Sequence, residues 1–309
     1  MSFIVNSIKL IRPLNAIIVF ATLLVVRIIL GDTFETNGLE PLINIYDYML
    51  MIIIGMWILG SGNVINDIID QEIDKINKPA KVIIPEKIST GYALFMYWSM
   101  NALALIASMY LANKYEVISY VLVPLLAIAL LFIYSKYLKK TFFFGNLAIA
   151  MLCATLPVVG FLVEGKNMEI VFLNDKVQYE VIIYQIICMI SFSFILVMCR
   201  ELVKDCEDVD GDRSAGAVTI PIKLGRKFSR NLMLAYLAIY ICIFGVVNFF
   251  RFQLTHSRSL LLSTIVYIIL VVAGVFIVYR KKQGDSFYTW MSAMIKIYLI
   301  LGLLFMLIK

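Results

Sequence analysis

Two acidic segments in an otherwise apolar chain carry the side chains that could do chemistry. The first motif (residues 66–74) reads NDIIDQEID, and the second motif (residues 200–216) reads RELVKDCEDVDGDRSAG. If the apolar helix before the first motif continues through it, Asn66, Asp70 and Asp74 recur every four residues on one face, and Asp67 joins them. Like charges at that spacing repel one another, so a bound cation is the economical explanation for the stripe.

The second motif repeats the pattern. Glu201, Asp205, Asp208 and Asp212 have the spacing of a single helical face, although the helix could end at Gly211. Carboxylate and amide oxygens without His or Cys favour Mg²⁺ or Ca²⁺, and Mg²⁺ often completes its shell with substrate phosphate oxygens. The two motifs therefore predict a diphosphate bridged by metal ions. Ordinary solvated loop charges are the alternative, and they explain one such cluster more readily than two.

The composition indicates where these motifs must sit. The chain has 309 residues, of which 62% are hydrophobic and 16% charged, and this balance is typical of a multi-pass membrane protein. A net charge of +6 then indicates basic cytoplasmic loops rather than a nucleic-acid partner. The five cysteines form no C-x-x-C pair, and the single His256 lies in a short polar connection. A thiolate metal site or a Ser-His-Asp triad is therefore not expected.

Nine apolar segments have about the length that a spanning helix needs. They are Leu14–Leu30, Tyr46–Ile65, Tyr92–Ala112, Val117–Tyr134, Phe142–Val163, Val181–Cys199, Leu232–Phe250, Ser259–Tyr279 and Tyr288–Ile308. The first is too long for the apolar core of a signal peptide, so we expect it to be retained. Lys and Arg concentrate in alternate loops, which predicts a cytoplasmic N-terminus in the plasma membrane and places both acidic motifs on the cytoplasmic face.

The motifs match a known family. The pattern Asn-Asp-x-x-Asp-x-x-x-Asp followed by KINKP, with a second aspartate-rich motif, resembles the UbiA superfamily of intramembrane prenyltransferases. The run IRPLN near the N-terminus is similar to the family's opening helix, and IYSKYLK to its central loop. The second motif looks most like the branch that makes digeranylgeranylglyceryl phosphate. One departure is Lys81, which stands where the family usually has Arg, in a loop that lacks the usual Pro-Ser-Gly turn.

The resemblance implies a fold and a reaction. The fold is a single domain over residues 1–309, an all-α membrane bundle of nine helices around a central cavity. The reaction is Mg²⁺-dependent transfer of a prenyl group, with geranylgeranyl expected, from its diphosphate to a lipid acceptor. Geranylgeranylglyceryl phosphate is the expected acceptor, and an aromatic acceptor of the 4-hydroxybenzoate, dihydroxynaphthoate or homogentisate type is the alternative. No covalent enzyme nucleophile is needed, which agrees with the absence of a triad.

The resemblance also implies roles for individual residues. The expected catalytic residues are Asp70, Asp74, Asp208, Asp212 and Tyr134. The expected metal ligands are Asn66, Asp67, Asp70, Asp74, Asp205, Asp208 and Asp212. The expected diphosphate ligands are Lys78, Lys81, Lys139, Arg200 and Lys204, and the acceptor contacts are Arg12 and Asn15.

Two observations bear on the alternatives. A divalent-cation transporter would need acids near mid-membrane, whereas these acids follow the ends of apolar spans. A structural membrane scaffold would leave both acidic motifs unexplained. For the acceptor, Arg200 and Lys204 add positive charge beside a segment that already has to hold a diphosphate, which favours an acceptor carrying its own phosphate.

Overall fold

The computed structural model describes residues 2–77, 79, 82–280 and 285–308 and shows helices joined by turns, with no strand among these residues. The helices are Ser2–Ile11 (α1), Pro13–Thr36 (α2), Ile45–Ile69 (α3), Gln71–Asn77 (α4), Thr90–Tyr115 (α5), Ser119–Lys136 (α6), Phe144–Leu162 (α7), Gly165–Asn174 (α8), Lys176–Glu207 (α9), Val209–Ser214 (α10), Ile220–Thr255 (α11), Arg258–Arg280 (α12) and Asp285–Phe305 (α13). Within the described residues, nine helices are long and apolar enough to cross a membrane. The all-α class and the nine predicted spans are confirmed.

The spans differ from their predicted bounds mainly at polar ends. The helix α9 has 32 residues, and α11 comprises 36 residues in two helical parts that meet at Gly225; both are longer than the apolar segments predicted inside them. Hydropathy detects only the part of a helix that lies in hydrocarbon, whereas backbone hydrogen bonding continues beyond it into polar sequence. At Gly225 of α11 the backbone has φ +82°, a left-handed conformation that glycine adopts without steric cost, and the helix axis kinks there.

The chain divides into two compact units. The first comprises Met1–Phe20, Asn44–Ala148 and Asp208–Lys223, and the second comprises Ala21–Ile43, Ile149–Glu207 and Leu224–Lys309. The first unit therefore contains the whole first motif and the later part of the second motif. The assignment of residues 1–309 to a single domain stays a prediction.

Small residues let the helices of the first unit approach one another around α3, which packs against α1, α5 and α6. A Cβ atom at Gly62 would lie 2.8 Å from Cδ1 of Leu131 on α6, so any larger residue would require the Leu131 side chain to shift. The neighbouring Ser61 donates a buried hydrogen bond of 2.7 Å to Oδ1 of Asn101 on α5. Packing at this distance fixes the direction in which α3 delivers the first motif.

An apolar cluster supports the end of α3 where the first motif begins. Its buried members are Leu10, Val64, Ile65, Ile84, Ile88, Ala93 and Tyr97. Each fully buried large apolar side chain contributes about 1.5–3 kcal/mol relative to exposure. The first motif therefore begins on a helix end that apolar packing holds in place.

The second unit contains a charged pair inside its helical part. Glu164 is fully buried, and its carboxylate accepts hydrogen bonds from Nη1 of Arg27 at 3.0 Å and from the Leu42 and Ile43 N–H groups at 2.8 and 3.2 Å. A buried carboxylate needs this number of donors to offset its desolvation. The pair ties the segment before α3 to the helices of its own unit, and it leaves the acidic motifs uninvolved.

Candidate active site

The first motif crosses the junction between α3 and α4. The helix α3 ends at Ile69, Asp70 is its C-cap residue, and α4 begins at Gln71. The Asp70 N–H donates to the Asn66 carbonyl at 2.9 Å, and the Asp74 N–H donates to the Asp70 carbonyl at 2.8 Å. Helical spacing therefore persists through the junction, and the three side chains follow one another along it.

Asn66 and Asp70 present adjacent oxygen atoms. Nδ2 of Asn66 donates to Oδ2 of Asp70 at 2.8 Å. Oδ1 of Asn66 is buried, and among the described residues it has no hydrogen-bond partner. A buried acceptor in that state is destabilising by about 1–3 kcal/mol unless a ligand or cation satisfies it. An amide oxygen beside a carboxylate is a donor set that suits Mg²⁺, so these two residues fit the predicted metal.

Lys139 forms an ion pair with Asp70, whose side chain is 8% exposed. The Lys139 side chain is 13% exposed and lies in a short 3₁₀ turn, Leu138–Lys140, that follows α6. Because water is largely excluded from both groups, this pair is screened much less than a surface pair. The predicted diphosphate ligand Lys139 therefore lies directly against a predicted metal ligand.

The turn that carries Lys139 is held on two sides. A Cβ atom at Gly145 would lie 2.8 Å from Cα of Lys139, so the start of α7 can approach the turn only with glycine at that position. The Lys140 carbonyl accepts a hydrogen bond of 2.9 Å from the Val218 N–H. Tyr134 is half-buried in the last turns of α6, one helical turn before this segment. Its role stays a prediction.

The break between α1 and α2 places Arg12 against the first motif. Pro13 begins α2 and disfavours a right-handed helical conformation at the residue before it, and Arg12 has φ +56°. Its Nη2 donates to Oδ1 of Asp67 at 2.6 Å. The predicted acceptor contact thus pairs with a predicted metal ligand. Asn15 is half-buried in the first turn of α2, and its role in acceptor binding stays a prediction.

The second motif also crosses a helix junction. The helix α9 ends at Glu207, Asp208 precedes α10, and Asp212 lies within α10, with its N–H 2.9 Å from the Asp208 carbonyl. The helix α10 continues past Gly211 to Ser214. The expectation that the helix could end at Gly211 is therefore wrong, and the break falls at Asp208 instead. In both motifs an aspartate occupies the junction.

Asn77, the last residue of α4, connects the two motifs. The helix α4 packs against α10 within the first unit. Oδ1 of Asn77 accepts a hydrogen bond from the Gly211 N–H at 2.7 Å, and Nδ2 donates to the Asp208 carbonyl at 3.1 Å. The acidic pattern does not indicate this residue. The run KINKP after the first motif was the available signal, and it does not show what Asn77 contacts.

The basic residues of the second motif lie in the second unit, on α9. Glu201 is 3% exposed and accepts a hydrogen bond of 3.1 Å from Nη1 of Arg200 and one of 2.8 Å from Nζ of Lys204. One carboxylate therefore faces two cations. Nε of Arg200 is buried and has no hydrogen-bond partner in the described part of the chain. Asp205 is half-buried in the last turn of the same helix.

Lys78 and Lys81, two predicted diphosphate ligands, lie outside the described residues. Within the described ranges, no three His, Cys, Asp or Glu side chains are gathered closely enough to hold a metal ion by themselves. Two of the predicted ligands are in ion pairs instead, Asp67 with Arg12 and Asp70 with Lys139. The assignment of metal ligands stays a prediction, and these two predicted ligands are neutralised by basic side chains.

Known proteins resemble this chain in sequence. The model of the UbiA prenyltransferase family matches residues 24–300. A digeranylgeranylglyceryl phosphate synthase from Korarchaeum cryptofilum is 31% identical over 270 residues, which cover 86% of this chain and 87% of the relative. The synthase of the same name from Methanothermobacter thermautotrophicus is 31% identical over 236 residues, which cover 75% of this chain and 71% of the relative.

Solved structures share the fold. A UbiA homologue from Archaeoglobus fulgidus bound to DMAPP and Mg²⁺ superposes with a TM-score of 0.61 at 14% identity and covers 96% of this chain and 99% of that chain. The apo structure of a UbiA homologue from Aeropyrum pernix K1 gives a TM-score of 0.65 at 17% identity, covering 96% and 97% of the two chains.

Proposed function

We propose that this chain, which belongs to the UbiA prenyltransferase family, transfers a geranylgeranyl group from geranylgeranyl diphosphate to geranylgeranylglyceryl phosphate in a Mg²⁺-dependent reaction. Prenyl transfer follows from the family, and the two substrates and the metal are the proposal. The observation that carries it is the Asn66–Asp70 oxygen pair beside Lys139, in the same unit as Asp208 and Asp212. Relatives named digeranylgeranylglyceryl phosphate synthase support the choice of substrates.

Asn66, Asp70 and Asp74 of the first motif, with Asp208 and Asp212 of the second, are the residues that would hold Mg²⁺. Asp67 and Asp205 are further candidates. When bound, Mg²⁺ supplies positive charge that stabilises the departing diphosphate. A divalent cation on Asp70 would also compete with the ammonium of Lys139, which could then donate to a diphosphate oxygen within reach of its turn.

In this proposal, side chains of the protein hold the diphosphate and stabilise the allylic cation. Lys139 holds the diphosphate from the turn after α6, and Arg12 adds a second positive group beside Asp67. Tyr134 lies on α6 near the same turn, where an aromatic face could stabilise the allylic cation formed as the C–O bond breaks. An apolar surrounding excludes the water that would otherwise quench that cation.

The basic residues on α9 support an acceptor that carries a phosphate. Arg200 and Lys204 both pair with the carboxylate of Glu201, so two positive charges meet one negative charge at this contact. The buried Nε of Arg200 also lacks an acceptor among the described residues. A phosphate dianion would balance the positive charge and would also accept a hydrogen bond from Nε of Arg200, whereas the carboxylate of an aromatic acid carries a single negative charge.

A competition experiment tests the acceptor. Purified enzyme in detergent is given labelled geranylgeranyl diphosphate, Mg²⁺ and equal concentrations of geranylgeranylglyceryl phosphate, 4-hydroxybenzoate and dihydroxynaphthoate. We expect label in the glycerol-phosphate product, because two cations on α9 favour an acceptor with its own phosphate. Label chiefly in an aromatic ring would contradict the acceptor proposal and leave prenyl transfer standing. Label in no product, with intact enzyme, would contradict the choice of prenyl donor.

We also propose that both motifs open to the cytoplasm, on the basis of the distribution of Lys and Arg. Single cysteines introduced at Lys75 and Arg213 should react with an impermeant thiol reagent only from the cytoplasmic side of vesicles. Cysteines at Glu40 and Asn174 should react only from the other side. All four positions are exposed, and the exposed native Cys242 is first replaced by serine. Labelling of positions 75 and 213 from opposite sides would contradict the proposal, since one diphosphate could not then reach both motifs.

A further inference from the structure

The start of α10, inside the second motif, is capped by Asn77, three residues beyond the first motif. The first N–H groups of a helix have no partner within the helix, and an aspartate at the N-cap position usually accepts a hydrogen bond from one of them. Asp208 occupies the N-cap position of α10, but its side chain makes no capping hydrogen bond. The Gly211 N–H, which such a cap would bind, donates instead to Oδ1 of Asn77 at 2.7 Å.

Asn77 makes two contacts that hold it in one orientation. Besides accepting from Gly211, it donates from Nδ2 to the Asp208 carbonyl at 3.1 Å. Both amide atoms are therefore used by the backbone of α10. The two motifs are far apart in the sequence, so this side chain is a direct link between α4, which carries the end of the first motif, and α10 inside the second.

The surrounding sequence accommodates this contact. A Cβ atom at Gly211 would lie 2.6 Å from Cγ and 2.7 Å from Oδ1 of Asn77, closer than non-bonded atoms approach. Gly211 is not in a left-handed conformation, so the requirement for glycine here is one of space. The asparagine at 77 and the glycine at 211 thus form a matched pair.

We propose that Asn77 is a positioning residue that caps α10 from outside, so that the carboxylate of Asp208 serves the metal and diphosphate rather than its own helix. The inference rests on the proposed function, because it assigns Asp208 to that site. Without Asn77, the Asp208 carboxylate can turn back to accept from the Gly211 N–H. The helix would then keep a cap, and the metal site would lose part of a ligand.

The first experiment compares Asn77→Ala with Lys75→Ala. Lys75 lies on the same short helix, is exposed and, among the residues that the structure describes, forms an ion pair with the exposed Glu72 alone, so it is the matched control. Thermal protection by Mg²⁺ with inorganic pyrophosphate is measured in detergent. We expect Asn77→Ala to raise the half-saturating Mg²⁺ concentration about tenfold, the lower end of the effect of losing an outer-shell partner. The unliganded melting temperature should stay close to that of the wild type.

Hydrogen exchange tests the contact without any substrate. Exchange of the Gly211 amide should be faster in Asn77→Ala than in the wild type in the presence of Mg²⁺ and pyrophosphate, where the Asp208 carboxylate is engaged elsewhere. Asn77→Asp keeps an acceptor for this amide and should retain its protection. If the alanine variant does not fold, the exchange of the Gly211 amide is measured in Asn77→Asp instead.

A second pair of variants tests the matched fit. Gly211→Ala in the wild-type background should reproduce the raised Mg²⁺ requirement, because its methyl group displaces Asn77. In the Asn77→Gly background the same Gly211→Ala change should have little further effect, so the two changes should be strongly non-additive.

The inference is overturned if Asn77→Ala leaves both the Mg²⁺ requirement and the Gly211 exchange rate unchanged. It is equally overturned if the melting temperature falls while the Mg²⁺ requirement does not move, since that is the behaviour of a purely structural cap. None of these readouts needs prenyl transfer. A wild-type protein that binds Mg²⁺ and pyrophosphate but transfers no prenyl group would contradict the proposed function and leave this inference standing.

Discussion

Replacing Asp70 with asparagine should lower the rate of prenyl transfer by about 10³-fold while the protein remains folded in the membrane. The change removes one negative oxygen from a proposed metal site, and metal-ion stabilisation of developing charge is worth several kcal/mol, at about tenfold in rate for each 1.36 kcal/mol. An asparagine at position 70 keeps an oxygen that can accept the hydrogen bond from Nδ2 of Asn66. Asp208→Asn should behave similarly.

The measurement is turnover of labelled geranylgeranyl diphosphate over a series of Mg²⁺ concentrations, with size-exclusion profiles to check folding. Asp210→Asn is the matched control, because Asp210 lies in α10 next to the proposed ligands but is exposed and belongs to neither predicted stripe. If Asp70→Asn or Asp208→Asn kept near wild-type turnover at limiting Mg²⁺, these residues would not be metal ligands.

Replacing Lys139 with methionine should have two separable effects. The catalytic efficiency for the diphosphate substrate should fall by about 10²-fold, since a charge-assisted contact worth up to about 3 kcal/mol is removed. The metal-free protein should also lose stability, because the nearly buried carboxylate of Asp70 loses its opposite charge. Losing one member of a buried pair costs about 3–5 kcal/mol.

Mg²⁺ distinguishes these two effects. A divalent cation can replace the ammonium on Asp70, so Mg²⁺ should raise the melting temperature of Lys139→Met more than that of the wild type. The double variant Asp70→Asn/Lys139→Met should regain stability without regaining activity, because it removes both charges. Lys140→Met, in the same turn, is the control. Equal Mg²⁺ responses in Lys139→Met and the wild type would show that Lys139 and the metal do not share Asp70.

Much of the fold could be predicted because membrane spans leave a strong signal. Each span must be apolar over about 20 residues, so hydropathy alone locates it. Four described helices gave no such signal, since α1, α4, α8 and α10 have ten residues or fewer. The polar ends of α9 and α11 were also missed, because helical hydrogen bonding does not stop where hydrocarbon does.

The candidate site could be predicted as a set of residues but not as a set of contacts. Periodicity within one helix relates Asn66 to Asp70, and their hydrogen bond agrees with it. It cannot relate Lys139 to Asp70 or Arg12 to Asp67, because those partners come from separate helices brought together by packing. For the same reason the acidic pattern does not indicate Asn77, although this residue contacts the second motif directly.

In the proposed reaction the two acidic motifs bind one diphosphate through shared metal ions. Crystals of the wild-type protein grown with Mn²⁺ and geranylgeranyl thiodiphosphate test it most directly, because the anomalous signal of manganese locates the metal without reference to activity. We expect manganese held by oxygens of both motifs, with Asn66 or Asp70 on one side and Asp208 or Asp212 on the other, and the diphosphate between them. Manganese at one motif alone, or a diphosphate bound away from both motifs, would contradict it.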